Sequence, residues 1–144
     1  MEGFSVRWGD IYFNVECEEK VKRAFFSKNR VFGFKKCELS KRLEEYFMGE
    51  KVDFEFEFEL NLPFFALKVL KRILKIPYGK TITYGELAKE LGSSPRAVGQ
   101  ALKRNPIAVL IPCHRVVSKK GIGGYSWGVE IKRALLRLEG IYFP

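Results

Sequence analysis

Tyr84-Gly85-Glu86-Leu87-Ala88-Lys89-Glu90-Leu91-Gly92-Ser93-Ser94-Pro95-Arg96-Ala97-Val98-Gly99-Gln100-Ala101-Leu102-Lys103-Arg104 decides the fold of the second half of this chain. It reads as two short helices. The first runs up to Gly92, a residue suited to the left-handed position that ends a helix. Ser94 is placed to cap the second helix, and Pro95 fits its first turn. Ala88 is small enough to let the helices approach, Gly92 permits the turn, and Val98 packs the second helix down. Together they form a helix-turn-helix pattern. The second helix is unusual on its exposed face. Ala97, Gly99 and Ala101 are small, whereas major-groove readout needs Arg, Asn or Gln there. Small residues instead suit close approach to a phosphate backbone or a minor groove. Arg96, at the helix start, predicts either a phosphate contact or a side chain placed inside a duplex.

Downstream, Asn105-Pro106 breaks the helix. The apolar run Ile107 to Ile111 then leads into Pro112-Cys113-His114-Arg115, with Val116-Val117 continuing as a strand. Pro112 fixes φ just before Cys113, which suits a sulfur held at the edge of a core. His114 is the only histidine in the chain. By themselves these neighbours leave a buried structural thiol as an open alternative, because adjacent side chains point apart. Ser118 to Ser126 is a loop containing Gly121, Gly123 and Gly124; it lacks the spacing of a nucleotide-phosphate loop. Val129 to Leu138 is a final helix, with Ile131, Ala134, Leu135 and Leu138 expected inward. Glu139-Gly140 ends it.

Upstream, Phe64 to Leu74 has helical spacing of apolar residues, and Pro77 to Lys80 is a turn. In the first half, Phe4 to Cys17 reads as a hairpin turning at Gly9-Asp10, followed by a third strand around Val21 to Phe26. A loop spans Asn29 to Lys36. Cys37 to Met48 is a helix with Leu39, Leu43, Tyr46 and Phe47 on one face. From Val52 to Leu62, Asp53-Phe54-Glu55-Phe56-Glu57-Phe58-Glu59-Leu60 alternates strictly, which predicts an amphipathic strand with Phe inward and Glu outward. Those glutamates are a solvated face, since no other ligand type converges on them. Pro63 closes the segment and divides the chain into lobes at 1–62 and 63–144.

Composition narrows the function. The chain has 144 residues, 47% of them apolar, enough for a core. It carries no leader pattern and no apolar run long enough to span a membrane. Three cysteines without a CxxC pair argue against a disulfide framework and against zinc, and fit a reducing cytoplasm. Cys17 and Cys37 are expected as packed core thiols. The net charge is +9, and it is uneven: from Phe64 onward there are 15 Lys and Arg against 4 acids, Glu86, Glu90, Glu130 and Glu139. A basic half built around a helix-turn-helix points to a polyanion partner.

With these residues in view, the chain resembles the O6-alkylguanine-DNA alkyltransferases. The resemblance covers Pro63 to Gly140. It rests on Tyr84-Gly85-Glu86-Leu87-Ala88, Arg96-Ala97-Val98-Gly99, Arg104-Asn105-Pro106, Ile111-Pro112-Cys113-His114-Arg115-Val116-Val117, Gly124-Tyr125-Ser126 and Leu135-Leu136-Arg137-Leu138-Glu139-Gly140. It implies an α+β fold, with a small N-terminal antiparallel-sheet lobe of ribonuclease-H type and a winged-helix-like lobe that carries the active cysteine. The implied activity is direct-reversal DNA repair. The family flips the damaged nucleotide out through the minor groove and moves the alkyl group from guanine O6, or thymine O4, to a cysteine that is not regenerated. Cys113 would be the acceptor, His114 would take its proton through a water, and Glu139 would orient His114. Asn105 would brace the turn. Arg96 would fill the gap left by the flipped base, with Tyr84, Thr83, Ala97, Gly99, Arg104 and Arg115 at the DNA. Tyr125, Ser126, Val117, Pro112 and Trp127 would form the base pocket. No cofactor and no metal are implied, the partner is duplex DNA containing O6-alkylguanine, and the protein would act as a monomer without a membrane. Trp127 is bulky and is expected to narrow the pocket against large adducts. The alternative is a non-catalytic damage sensor or helix-turn-helix regulator; such relatives replace the cysteine that is retained here.

Overall fold

The computed structural model describes residues 2–144. It is a mixed α+β protein that divides into two compact units. One comprises the residues up to Leu60 together with Pro106–Leu110; the other comprises Asn61–Asn105 and Ile111–Pro144.

The first unit is built on three antiparallel strands in the order β1-β2-β3: β1 (Gly3–Trp8), β2 (Ile11–Cys17) and β3 (Val21–Ser27). Gly9, at φ 61°, makes the expected turn, so that Trp8 pairs with Ile11. Helix α1 (Glu38–Phe47) buries Ser40, Leu43, Tyr46 and Phe47. Leu39, expected on that face, is only half-buried; the stripe starts one residue later, at Ser40. Phe47 stacks on Trp8 at 4.9 Å and meets Phe13 at 5.6 Å, so aromatic surface joins helix and sheet.

The Phe-Glu segment corrects one expectation. Its faces alternate as predicted, with Phe54, Phe56 and Phe58 half-buried and Glu55, Glu57 and Glu59 exposed, yet no strand forms. A single bridge joins Phe58 to Val21, through Val21 N–H to the Glu57 carbonyl and Glu59 N–H to the Val21 carbonyl. Period-2 patterning sets which side faces inward, but a ladder also needs a partner edge over its whole length. Pro106–Leu110 makes a similar short contact with β3: Ala24 N–H bonds to the Pro106 carbonyl and Ala108 N–H to the Ala24 carbonyl. Just after it, Leu110 N–H reaches the Ala108 carbonyl, closing a three-residue turn on Val109 at φ 64°. Val109 is buried and is the one non-glycine with positive φ among the described residues.

The second unit contains α2 (Phe64–Ile73), β4 (Ile82–Thr83), α3 (Tyr84–Glu90), α4 (Pro95–Lys103), β5 (Val116–Val117) and α5 (Val129–Leu138). β4 and β5 pair in parallel. The helix-turn-helix forms as read, from α3 and α4. Thr83 and Glu86 make a reciprocal capping box on α3. Ser94 accepts from Ala97 N–H, with Pro95 in the first turn of α4; such a cap contributes about 1 kcal/mol. Gly92 takes φ 62° between them, and Ala88 and Val98 are buried. No helix among the described residues is long and apolar enough to cross a membrane.

Helix α5 departs from its expected face. The buried residues are Lys132, Leu135 and Leu136, followed by Glu139 just past its end, while Ile131, Ala134 and Leu138 are half-buried. The inward stripe therefore runs 132, 135, 136 and 139, and begins and ends with a charge.

Candidate active site

Cys113 opens a single 3₁₀ turn, Cys113–Arg115, that follows Pro112 at φ −81° and ψ 61°. Its N–H bonds back to the Ile111 carbonyl at 2.8 Å. This tight turn separates the side chains of Cys113 and His114 and sends each to a different partner. Cys113 is 7% exposed, and its sulfur accepts from Asn105 Nδ2 at 3.2 Å; the same amide nitrogen donates to the Ile111 carbonyl at 3.1 Å. Asn105 follows α4, so one buried amide joins the end of the helix-turn-helix to the thiol segment. Burial pushes the Cys113 thiol up to about 11, against the hydrogen bond from Asn105 and the charge of Lys132.

His114 is fully buried. Its Nε2 meets Glu139 Oε2 at 2.6 Å. Glu139 Oε1 accepts from Arg115 Nε at 2.8 Å and from Gly79 N–H at 3.0 Å. Burial alone would raise the Glu139 carboxyl, but the hydrogen bond from His114, its charge once protonated, and the charge and hydrogen bond of Arg115 outweigh it and bring the group down to about 2. The His114–Glu139 contact has ion-pair geometry, yet burial lowers the imidazole pKa, and Arg115 and Lys132 oppose a further positive charge. The resting pair is a neutral imidazole donating Nε2–H to a carboxylate. That tautomer leaves Nδ1 as the proton-accepting nitrogen.

Arg115 differs from the expectation that it would meet DNA. Its guanidinium is buried, donating to Glu139 and, through one terminal nitrogen at 2.8 Å, to the Ile76 carbonyl. It neutralises the carboxylate and is unavailable to a phosphate.

Cys113 opens onto a cleft of about 1090 Å³. The helix-turn-helix lines it with Tyr84, Gly85, Pro95, Arg96, Gly99, Leu102 and Lys103; the glycine-rich loop and its flanks add Ser118, Lys119, Gly124, Tyr125, Ser126 and Val129. Of the residues expected in the base pocket, Tyr125 and Ser126 line this cleft, whereas Pro112, Val117 and Trp127 do not. Trp127 packs against the Tyr125 ring with centroids 5.3 Å apart. Of those expected at the DNA, Arg96, Tyr84 and Gly99 line the cleft. Thr83 has its hydroxyl engaged in capping α3, Ala97 is half-buried, and Arg104 is exposed beyond the end of α4. Lys103, which was not among the residues expected at the DNA, lines the cleft.

The residue missed from sequence is Lys132. It is fully buried, and Nζ donates to the Val116 carbonyl at 2.7 Å and to the Gly124 carbonyl at 2.9 Å. Cys17 and Cys37 are half-exposed rather than core thiols. Cys37 caps α1, its sulfur accepting from Ser40 N–H at 3.4 Å.

A family model described as the DNA-binding domain of 6-O-methylguanine DNA methyltransferase matches residues 64–141. A methylated-DNA–protein-cysteine methyltransferase of Archaeoglobus fulgidus is 47% identical over 146 residues, covering 96% of this chain and 99% of that protein. Among solved structures, the Mycobacterium tuberculosis OGT in complex with DNA is 33% identical with a TM-score of 0.80, covering 95% of this chain and 91% of that one. The O6-methylguanine-DNA methyltransferase of Pyrococcus kodakaraensis is 29% identical with a TM-score of 0.79, covering 96% and 98% respectively.

Proposed function

The chain belongs to the O6-methylguanine DNA methyltransferase family, and we propose that it repairs alkylated duplex DNA by moving the alkyl group from guanine O6 onto Cys113. The observation that carries this reading is the joining of three parts in one unit: a thiol at the wall of a cleft, a buried His114–Glu139–Arg115 chain beside it, and a helix-turn-helix lining the same cleft.

The step is a displacement at the alkyl carbon. The sulfur attacks, the carbon–oxygen bond breaks, and its electron pair goes to guanine O6. The nucleophile is the thiolate, and burial holds Cys113 protonated in the free protein, so proton removal must accompany substrate binding. His114 accepts that proton at Nδ1 through a water, and Glu139 stabilises the imidazolium that forms. Asn105 Nδ2–H stabilises negative charge on the sulfur. Arg96 enters the duplex as the target nucleotide leaves, offsetting an unstacking cost of a few kcal/mol. The small face of α4 at Gly99 lets the helix lie close to a minor groove, and Lys103 and Lys119 neutralise phosphates. Thymine O4-alkyl groups present the same chemistry. The thioether product is not reversed, so each molecule acts once, as a monomer, in the cytoplasm.

The test is an intact mass after mixing with a duplex containing O6-methylguanine. One added methyl group, mapped to Cys113 and missing in Cys113→Ala, is the expected outcome. Tight binding with unchanged mass would instead make the chain a damage sensor.

A further inference from the structure

We propose that Lys132 is a positioning residue for the transfer, a buried strap that ties the loop bearing Tyr125 and Ser126 to the strand leaving Cys113. This deepens the alkyl-transfer reading and rests on it.

An ammonium is costly to bury, and a Met of similar length would pack beside Leu135 and Leu136 without that cost. The lysine instead spends its charge on two backbone carbonyls that are distant in sequence. One, Val116, belongs to β5, three residues after Cys113; the other, Gly124, directly precedes Tyr125. The Gly124 carbonyl also lies 3.4 Å from the Tyr84 hydroxyl, and the ammonium sits 5.7 Å from the centroid of the Tyr84 ring. The preceding residue, Gly123, is pressed so closely that a Cβ there would lie 2.9 Å from the Tyr84 ring and 3.2 Å from Ser118 N. Lys132 thus fixes the glycine-rich loop from inside while Tyr84 fixes it from the cleft. Glycines allow such a loop many conformations. A charge-assisted pair of hydrogen bonds selects one. The same positive charge favours the thiolate of Cys113, and burial holds the ammonium down to about 8.

Lys132→Met and Lys132→Arg in the full chain test this. In Lys132→Met, single-turnover transfer at saturating O6-methylguanine duplex should fall on the order of 100-fold, the effect of misplacing a reacting group by about 1 Å. Affinity for the same duplex with unmodified guanine should change less than about twofold, on the reasoning that phosphate contacts dominate it. Lys132→Arg, which keeps the donors and the charge, should recover part of the rate. Amide exchange across 121–128 in the free protein should rise in Lys132→Met and leave α3 and α4 unchanged. That exchange measurement needs no chemistry: a wild-type protein that takes up no methyl group would sink the transfer reading and leave the strap standing. Unchanged exchange, or a transfer rate in Lys132→Met close to wild type, overturns the strap. So does an equal loss of melting temperature, affinity and rate in both variants, which would make Lys132 a core residue only.

Discussion

Each unit contains a buried polar network, and the two are built from different materials. In the first unit, Ser5 Oγ donates to Asn14 Oδ1 at 2.7 Å, and Asn14 Nδ2 donates to the Ser27 hydroxyl at 2.7 Å and the Phe25 carbonyl at 3.2 Å. The same two side chains receive Val31 N–H and Phe32 N–H, holding the loop after β3. Every member is neutral. In the second unit the buried polar groups are ionisable: His114, Glu139 and Arg115 are joined by hydrogen bonds, and Lys132 is held separately by the Val116 and Gly124 carbonyls. Neutral groups are enough to satisfy backbone N–H groups and shape a loop. Burying charge costs several kcal/mol per ion, and it is economical only where the charge has a task. The difference teaches where to look for chemistry: the ionisable groups lie on and beside the segment that carries the thiol, and the neutral ones hold a loop.

The sharpest way to break this contrast is Glu139→Gln. It leaves Arg115 buried without its carboxylate, so unfolding free energy should drop by about 3–5 kcal/mol and transfer should fall at least on the order of 100-fold. Chemical denaturation with single-turnover kinetics would check both; a near wild-type rate would remove Glu139 from the site. Acid pH probes the same carboxylate. Its folded pKa, about 2, lies below the ordinary value of 4.5, so its contribution is present above about pH 4.5 and is lost as the pH falls toward 2. Stability measured across this range should decline more steeply in the wild type than in Glu139→Gln. Next in size is Asn14→Ala, which should cost about 1–3 kcal/mol by stranding Ser5 and the loop amides. Transfer at saturating DNA should be unaltered, and a slowed transfer would blur the contrast. The smallest effect is expected for Arg72→Ala. The Arg72–Glu90 pair is short, at 2.6 Å, but exposed, and its loss should cost no more than about 1 kcal/mol in thermal denaturation.

Legibility in sequence followed the same division. Neutral, local signals were readable: Ser94 with Pro95, Gly9 and Gly92 each name their place because the relevant partner lies within a few residues, whereas the capping box of Thr83 and Glu86 went unread. His114 and Glu139 were readable as a pair only through the resemblance, being 25 residues apart. The charged members misled. Lys132 was left out of the inward face because an apolar count passes over lysine, although it stands at the i position of a stripe completed by Leu135, Leu136 and Glu139. Arg115 was placed at the DNA through the resemblance, whereas Glu139 and the Ile76 carbonyl engage its guanidinium within the protein. The Phe-Glu segment showed the reverse case. Its alternation named the faces correctly, but nothing local could say that only Val21 would bond to it.

Val109 carries a consequence for anyone redesigning this chain. At φ 64° its backbone favours glycine or asparagine, while its buried side chain needs aliphatic bulk. Glycine would relax the main chain and leave a void; isoleucine would fill the space and keep the strain. No single residue satisfies both demands. The position is held by a conflict rather than by a fit, and a gain there would have to come from changing the turn as a whole.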